Sequence, residues 1–453
     1  MGAVAGARLP AAARVGTIGR LRAEAERRGV IQGRVDEGFW PVARLLERQV
    51  RRSGGGAAVC VYHRGRPVVD VWAGERDAAG RPWQADTMAM SFSTSKGVVS
   101  TLLHILADRG LLHYEDPVAR FWPRFAQQGK GAITVRDVLT HRAGLARLRP
   151  LLDRGERILD WDYMIRALER ARPGRRGARS AYHAFTFGWL AGEIVQRVAG
   201  RPLGEVLRSE LAEPLGLDGL YIGAPPEARA RAAELPRPGP VPRVAGFLAT
   251  APLGFALDDV SRWTRHLPYD PLLARDALVP PGAAEVLFGP HILETPVPAA
   301  NGLFTARSLA RLYAVLAGDG SLDDVRLLSP AAARGAGEVQ TRAPDRVLIL
   351  PMHWRLGYHS AFTTRGRLAS GFGHFGYGGS GAFADPTHQL ALAMVNNRPA
   401  GGPFGDTRIA ALATAALLAA RAHDRRGAAM PARPRPARPG RPPGFTPSPP
   451  AGG

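Results

Sequence analysis

Two residue types are nearly absent from this chain of 453 residues. Cys60 is the single cysteine, which excludes an internal disulfide framework. Lys96 and Lys130 are the only lysines among 60 basic residues, so arginine carries almost all of the positive charge. No run reaches the about 18 uninterrupted apolar residues that a membrane-spanning helix needs, and the first 30 residues hold no apolar run of signal-peptide length. We therefore expect a soluble, cytoplasmic protein, or one that is exported by an unrecognised route.

The positive charge is spread along the chain and not concentrated. The formal net charge of +21 would suit nucleic acid or an anionic membrane surface. The arginines nevertheless occur throughout, beside 54 glycines and 39 prolines, as composition bias from a GC-rich genome would produce. No nucleic-acid-binding motif and no basic run interleaved with aromatic residues is found. We expect no specific nucleic-acid partner, while weak contact with an anionic membrane surface stays open.

Strand-like and helix-like segments are arranged as in an α/β fold. Apolar runs at 57–62 and 68–72, joined by Arg64 and Gly65, predict a β-hairpin, and a second hairpin is predicted at 381–395. Helical patterns lie between the two hairpins. The predicted divisions are a poorly ordered leader at 1–33, an α/β domain in two segments at 34–110 and 301–423, a helical insert domain at 111–300, and a disordered proline- and arginine-rich tail at 424–453. The sequence does not indicate the oligomeric state.

One of the two lysines lies at a position where arginine could not replace it as a base. Lys96 follows Ser93 by three residues, and an apolar helical pattern comes after it. Residues i and i+3 lie on one face of a helix, so the amine would reach the Ser93 hydroxyl. A lysine amine can become neutral on burial and act as a base, whereas arginine keeps its proton. A helix cap made by a Ser/Thr cluster would explain the serines, but it leaves the rare lysine unexplained.

Sequence motifs of several other enzyme classes are absent. None of the 15 serines lies in a Gly-x-Ser-x-Gly elbow, and Ser380, which comes closest, lacks the last glycine. The 12 histidines show no His-Glu-x-x-His and no paired spacing that suggests a metal site, and neither lysine lies in a phosphate-binding loop. The sequence thus predicts a reaction that needs neither a metal nor a cofactor.

Five segments, taken in order, resemble the class C β-lactamase-like serine hydrolases, which include family VIII carboxylesterases, class C β-lactamases and DD-peptidases. The segments are Ser93–Lys96, Ile133–Leu145 with its Leu-Thr-His-x-Ala-Gly-Leu run, Tyr182–Ala184 with the helical run that follows, Asn301–Ala310, and Phe372–Ala382. The five segments lie between Ser93 and Ala382, and the resemblance as a whole covers about residues 35–423. The resemblance implies a β-lactamase-like α/β fold, in which an antiparallel sheet is flanked by helices and a mainly helical domain is inserted.

The resemblance also implies a role for each matching side chain. Ser93 would attack the acyl carbonyl, and Lys96 with Tyr182 would pass the proton to the leaving group and then activate water. A tyrosine ahead of a helix is more often a packing residue, but beside a lysine ammonium Tyr182 would be held as a phenolate that accepts the serine proton. The N–H groups of Ser93 and Tyr377 would form the oxyanion hole. The third motif of the family corresponds here to His374, Gly376 and Tyr377.

Two departures from the family pattern bear on the substrate. The lactamases usually have Tyr-x-Asn, whereas Ala184 offers no amide to an acylamino side chain. His374 replaces a lysine and so weakens the fixed charge for a substrate carboxylate. We therefore predict a carboxylesterase that acts on small-molecule esters with short to medium acyl chains. A β-lactamase or D-Ala-D-Ala peptidase is the alternative, and a catalytically quiet surface-binding protein on the same fold is a third interpretation.

An arginine-rich stretch lies in the predicted insert domain. Residues 142–179 carry 11 arginines against five acids. In the family that this chain resembles, the corresponding region would border the cleft. The stretch would suit an anionic acyl substrate or a lipid surface, but a solvated face is the favoured interpretation.

Overall fold

The computed structural model of the protein describes residues 31–174, 177, 179–236, 270–399 and 406–429. The predicted leader up to residue 30 and the tail from residue 430 lie outside these ranges. The arginine- and alanine-rich composition of the leader also predicts a short helix near 17–29, which lies outside the described residues as well. Within them, no helix combines the length and the apolar character needed to cross a bilayer. A cytoplasmic location stays a prediction from the sequence.

Strands and helices follow one another along the described chain. The strands are β1 (Ile31–Val35), β2 (Gly56–His63), β3 (Arg66–Gly74), β4 (Ala89–Met90), β5 (Leu220–Ile222), β6 (Gly302–Phe304), β7 (Ser321–Leu322), β8 (Val325–Arg326), β9 (His359–Thr363), β10 (Gly366–Phe375), β11 (Gly381–Asp385) and β12 (Leu390–Asn396). The α-helices are α1 (Trp40–Ser53), α2 (Thr94–Asp108), α3 (Val135–Leu139), α4 (Trp161–Arg170), α5 (Thr186–Ala199), α6 (Leu203–Leu207), α7 (Pro226–Arg229), α8 (Pro271–Leu278), α9 (Ala283–Leu287), α10 (Ala306–Ala317), α11 (Pro330–Ala336) and α12 (Arg408–Ala429).

Seven of the strands form one antiparallel sheet in the order β1-β3-β2-β12-β11-β10-β9. The hairpin predicted near the start is β2 and β3, and the second predicted hairpin is β11 and β12. β12 pairs with β2 along its whole length, from Leu390 opposite His63 to Asn396 opposite Ala57. The first and last strands of the described chain therefore belong to one sheet, which is flanked by helices as the α/β prediction requires.

Both faces of the sheet are buried because alternate residues of a strand point to opposite sides. Along β2, Val59 and Val61 pack with α1 and α12, whereas Cys60 and Tyr62 pack in the core that contains α2 and α10. Burial raises the pKa of the Cys60 thiol well above its usual value, so this thiol stays protonated and unreactive. The same face holds α2, the helix that begins at the Ser-x-x-Lys run, against β10.

A sheet of three short strands links the predicted insert to the α/β segments. β6 pairs with β4, which precedes α2, and also with β5, which lies inside the range 111–300. The insert thus contributes one strand besides its helices. A strand of three residues is too short to show an alternating pattern, which is why the sequence did not indicate it. The division of the chain at 111 and 300 stays a prediction.

Both ends of the described chain differ from the predicted boundaries. β1 begins at Ile31, inside the predicted leader, because backbone pairing with β3 recruits residues whose side chains are mostly exposed. α12 continues to Ala429, so the first residues of the predicted tail are helical. Asp424 in that helix pairs with Arg64 of the β2–β3 turn at 2.9 Å, a long-range contact that local composition does not reveal.

Candidate active site

The Ser93 hydroxyl stands at the beginning of α2. Ser93 is the residue before the first helical residue and already has helical backbone angles, with φ −65°. Phe92, just before it, has φ +47°, a value that bulky residues rarely adopt. The hydroxyl of Ser95 donates to the Phe92 carbonyl at 2.5 Å and accepts from the Gly302 N–H at 2.8 Å. These bonds hold the tight turn that presents Ser93 to the cavity described below.

The Lys96 amine meets Ser93 from one turn further along α2. Its Nζ lies 2.9 Å from Oγ of Ser93 and donates to the carbonyl of Ala299 at 2.9 Å. The side chain is fully buried, and burial lowers the pKa of Lys96 well below the usual 10.5. Burial therefore favours the neutral amine, whose lone pair can accept the Ser93 proton.

The Tyr182 phenol meets Ser93 on the other side. Its O–H donates to Oγ of Ser93 at 2.8 Å. Burial raises the pKa of Tyr182, and the contact with Ser93 offsets only part of that effect. Burial therefore favours the neutral phenol at rest, and the phenolate stays a prediction from the sequence. That prediction assumed a lysine ammonium beside the ring, whereas Lys96, 5.0 Å from the ring centroid, is buried in a way that disfavours its charge.

Three side chains from distant parts of the sequence hold Tyr182 in place. The buried carboxylate of Asp345 accepts from the Tyr182 backbone N–H at 3.1 Å and from the indole N–H of Trp354 at 3.0 Å. The Trp354 ring stacks on Tyr182 with 5.5 Å between centroids and 12° between planes. His141, from the Leu-Thr-His run, packs its ring against Tyr182 at 5.0 Å. Asp345 and Trp354 were not predicted, because no sequence motif linked them to Tyr182.

The third motif lies directly against the turn that carries Ser93. His374, Gly376 and Tyr377 line the same cavity as Ser93. A Cβ atom on Gly376 would lie 2.2 Å from the Ser91 carbonyl oxygen, so only glycine allows the chain to pass here. This close approach brings the Tyr377 segment beside the Ser93 segment, as an oxyanion hole built from two backbone N–H groups requires.

His374 brings no positive charge to the site at neutral pH. Burial, with smaller contributions from His359 and Lys96, lowers the pKa of His374 well below its usual value. The His359 ring lies 4.9 Å from it, and burial lowers the pKa of His359 to about 4. Both imidazoles are therefore neutral, so this position lacks the fixed cation that would recognise a substrate carboxylate.

A cavity of about 630 Å³ opens at Ser93. Its walls are largely aromatic and aliphatic, and they include Phe92, Phe185, Phe288, Leu348, Met352 and Phe362. The methyl group of Ala184 forms part of the wall. Arg149, from the arginine-rich stretch, also reaches the cavity, but its guanidinium donates to the Val279 carbonyl at 2.8 Å. The size and lining suit an apolar acyl group of modest length.

One cluster in the described ranges has the donor atoms of a metal site. His63, His423 and Asp424 place their ligand atoms within 4.8 Å of one another. None of them lines the cavity at Ser93. The Asp424 carboxylate lies 2.9 Å from the Arg64 guanidinium and 3.3 Å from Nε2 of His63, so an arginine already balances its charge. We read the cluster as an ion pair at the β2–β3 turn.

Known proteins resemble this chain in sequence and in fold. The family model described as Beta-lactamase matches residues 42–417. Esterase/beta-lactamase LipL of Mycobacterium tuberculosis is 42% identical over 352 residues, which cover 77% of this chain and 78% of that protein. The crystal structure of a family VIII carboxylesterase superposes with a TM-score of 0.74 at 30% identity, covering 86% of this chain and 99% of the other. A penicillin-binding protein homolog from Caulobacter crescentus gives a TM-score of 0.70 at 34% identity, with 85% and 99% covered.

Proposed function

This chain belongs to the beta-lactamase family and is a serine hydrolase of the esterase type, and from that premise we propose that Ser93 is its nucleophile. The proposed reaction is the hydrolysis of small-molecule esters with short to medium acyl chains through a Ser93 acyl-enzyme. The observation that carries the proposal is the double contact of the Ser93 hydroxyl, 2.9 Å from Nζ of Lys96 and 2.8 Å from the phenol oxygen of Tyr182.

Acylation follows from the protonation states that burial favours. As Oγ of Ser93 attacks the ester carbonyl, the Ser93 proton moves to the neutral Lys96 amine. The backbone N–H groups of Ser93 and Tyr377 receive the negative charge that develops on the carbonyl oxygen. The Tyr182 phenol then donates its proton to the departing alkoxide and recovers one from the Lys96 ammonium. The alcohol leaves, and the acyl group stays on Ser93.

Deacylation uses the same groups in the reverse sense. The neutral Lys96 amine, acting through Tyr182, takes a proton from a water molecule that attacks the acyl carbonyl. When the tetrahedral intermediate collapses, Oγ of Ser93 leaves and regains the proton. The carboxylic acid is released, and the buried Lys96 returns to its neutral form. A neutral amine at rest thus serves both halves of the cycle.

Hydrolysis of β-lactams is a second candidate activity. The observation in its favour is that the relative with 42% identity carries the name esterase/beta-lactamase. Two features of the cavity oppose efficient turnover, because Ala184 offers no amide and His374 offers no cation. We therefore expect nitrocefin hydrolysis to be slow relative to ester hydrolysis. A nitrocefin rate as high as the ester rate would contradict this expectation.

The first experiment measures hydrolysis of p-nitrophenyl butyrate together with intact mass after treatment with a serine-reactive phosphonate. The wild type is expected to turn over the ester and to carry a single adduct. Ser93→Ala is expected to lose the adduct and about 10⁴-fold or more of the rate, the scale set by removing a serine nucleophile. Ser53→Ala, on α1, is the matched control and is expected to keep both.

Two results would contradict the assignment of Ser93. An adduct that persists in Ser93→Ala would place the nucleophile elsewhere. A folded wild-type protein with neither adduct nor turnover would favour the catalytically quiet protein that the sequence left open as an interpretation.

A further inference from the structure

A tight loop at the rim of the cavity presents apolar side chains to solvent. The loop runs from Asp345 to Pro351, and Leu350 lines the cavity. Ile349 is 50% exposed and Leu350 is 49% exposed. Elsewhere in the described ranges, the exposed large apolar side chains are Leu111, at 49%, and Leu418, at 40%. Two of the four such residues are thus neighbours at the mouth of the candidate site.

The tip of this loop is strained, and hydrogen bonds hold it. Ile349 has φ +68°, a value that is costly for a β-branched residue. Its N–H donates to the Asp345 carbonyl at 2.9 Å, and the Asp345 N–H donates to the Leu350 carbonyl at 3.0 Å. The Asp345 carboxylate also accepts from the N–H groups of Val347 and Leu348. The fold would tolerate glycine or asparagine at this tip more easily, so packing does not explain the exposed isoleucine.

The surroundings of the loop are cationic. Between Glu338 and Asp385 the chain has a single acid, Asp345, which is buried. The same span holds five arginines, of which Arg342, Arg365 and Arg367 are exposed, Arg346 is half-buried and Arg355 is buried. The exposed Arg367 donates to the Pro351 carbonyl at 2.6 Å, which places a positive charge at the base of the loop. Arg342 is also exposed.

We propose that the Asp345–Pro351 loop and its flanking arginines form the surface through which this enzyme rests on an anionic lipid surface. The inference rests on the proposed esterase function and names its substrate class, which is esters held in a lipid phase. The apolar tip enters the boundary between head groups and acyl chains while the arginines contact the anionic head groups. Leu350 touches both the lipid and the cavity, so it gives an acyl chain a continuous apolar path toward Ser93.

The loop is coupled to the candidate catalytic centre through one carboxylate. Asp345 holds the loop backbone and also accepts from the Tyr182 N–H at 3.1 Å. The lipid-facing loop and the backbone of Tyr182 are therefore bound to the same carboxylate. A protein seated on lipid through this tip would keep its site intact and turned toward the surface.

The test is flotation of the full chain with vesicles of phosphatidylcholine containing about 30% phosphatidylglycerol. The wild type is expected to float with these vesicles, and Ile349→Asn is expected to lower the bound fraction about fivefold, because it removes an apolar anchor. Asparagine tolerates positive φ, so thermal unfolding should show the variant at least as stable as the wild type. Leu111→Asn, which changes a residue that is 49% exposed elsewhere, is the matched control and should float like the wild type.

Two flotation results would contradict the assignment of lipid binding to this loop. Equal flotation of all three proteins would assign lipid binding to other basic residues, such as the arginines after residue 430, and would overturn the proposal. Absence of wild-type flotation would overturn it too. Hydrolysis of soluble p-nitrophenyl butyrate, measured in parallel, keeps the two questions apart. If that activity fails while flotation depends on Ile349, the esterase assignment falls and the surface stands.

Discussion

Lys96 and Lys130 are both buried, yet their amines have different partners. The Lys130 amine donates to three backbone carbonyls, at 2.8, 2.8 and 2.7 Å, those of Gln127, Glu169 and Ala171. Burial lowers the pKa of Lys130 only to about 8, with Glu169 opposing the effect, so it stays mostly charged at neutral pH. Lys96 has one carbonyl and the Ser93 hydroxyl. An arginine-rich chain thus keeps lysine where a compact amine is needed, once beside the proposed nucleophile and once for structure.

Exchanging each lysine for arginine should separate these two roles. Lys96→Arg is expected to lower kcat/KM for p-nitrophenyl butyrate by about 10²–10⁴-fold, because a guanidinium does not give up its proton. Lys130→Arg is expected to lower the free energy of unfolding by about 1–3 kcal/mol, because a planar group cannot serve three carbonyls arranged around a point. The folded fraction of that variant should keep its kcat. Steady-state kinetics and urea unfolding measure both effects, and an active Lys96→Arg would rule out the base role.

Sequence reasoning could find the residues that carry local motifs but not their protonation. Ser93 and Lys96 are three apart, so helix geometry alone predicts their contact. The state of Tyr182 depends on its own burial and on that of Lys96, which lowers the pKa of the amine, and a linear motif records neither. The carbonyl of Ala299, which binds Lys96, has no side-chain signal at all. Backbone partners and burial are therefore the part of the candidate site that only the fold supplies.

At the scale of elements, the chain just after β10 packs so closely against the start of α2 that no side chain fits between them. A Cβ on Gly376 would meet the Ser91 carbonyl oxygen at 2.2 Å and Oγ1 of Thr94 at 3.1 Å. Gly376→Ala should therefore push β10 away from the Ser93 turn. We expect kcat to fall about 10²-fold, the cost of a displacement near 1 Å, and the unfolding free energy to fall by about 1–3 kcal/mol.

Gly131→Ala serves as the control for this substitution. A Cβ there would have Ala126 Cβ as its nearest neighbour, at 3.9 Å, and the backbone needs no positive φ. Kinetics with p-nitrophenyl butyrate and urea unfolding should therefore match the wild type. Unchanged kinetics in Gly376→Ala would mean that the third motif does not position the nucleophile turn.

Elements with a strong periodic pattern were predictable, and those defined by long-range pairing were not. The two hairpins and the helix after Lys96 have apolar residues at strand or helix spacing, which is the signal that sequence reasoning uses. β1 and β5 are short, and each exists because a distant strand offers backbone partners. The extension of α12 into the predicted tail similarly accompanies the pairing of Asp424 with Arg64. Such contacts appear only once the chain has folded.

At the scale of the whole molecule, the fold buries an unusual number of neutral imidazoles. Burial lowers the pKa of His104, His183 and His359 from 6.5 to about 4. Burial also lowers the pKa values of His141 and His374, to well below 6.5. Three of these five contact the Tyr182 ring or line the cavity at Ser93, and a fourth, His183, packs its ring against His141. The imidazoles at the site are therefore kept neutral by the same burial that stabilises the core, and acid should affect both together.

Acid should destabilise the protein in the window between pH 6.5 and about 4, set by these pKa values. Above this window the histidines are neutral in both states. Within it the unfolded chain binds more protons than the folded one, so the free energy of unfolding falls as the pH falls. At about pH 4, the lower end of the window, each of His104, His183 and His359 would have lowered the free energy of unfolding by on the order of 3 kcal/mol. Their sum is comparable with the whole free energy of unfolding of a typical domain, about 5–15 kcal/mol.

Urea unfolding followed across this window measures the effect. His104→Gln removes one of the three titrating groups without touching the cavity at Ser93, so its unfolding free energy should depend less steeply on pH than that of the wild type. His291→Gln, which changes a side chain that is 69% exposed, should leave the slope unchanged. A wild-type stability that stays constant down to about pH 4.5 would mean that these imidazoles gain protons without unfolding the chain. Their burial would then not be what keeps the site neutral.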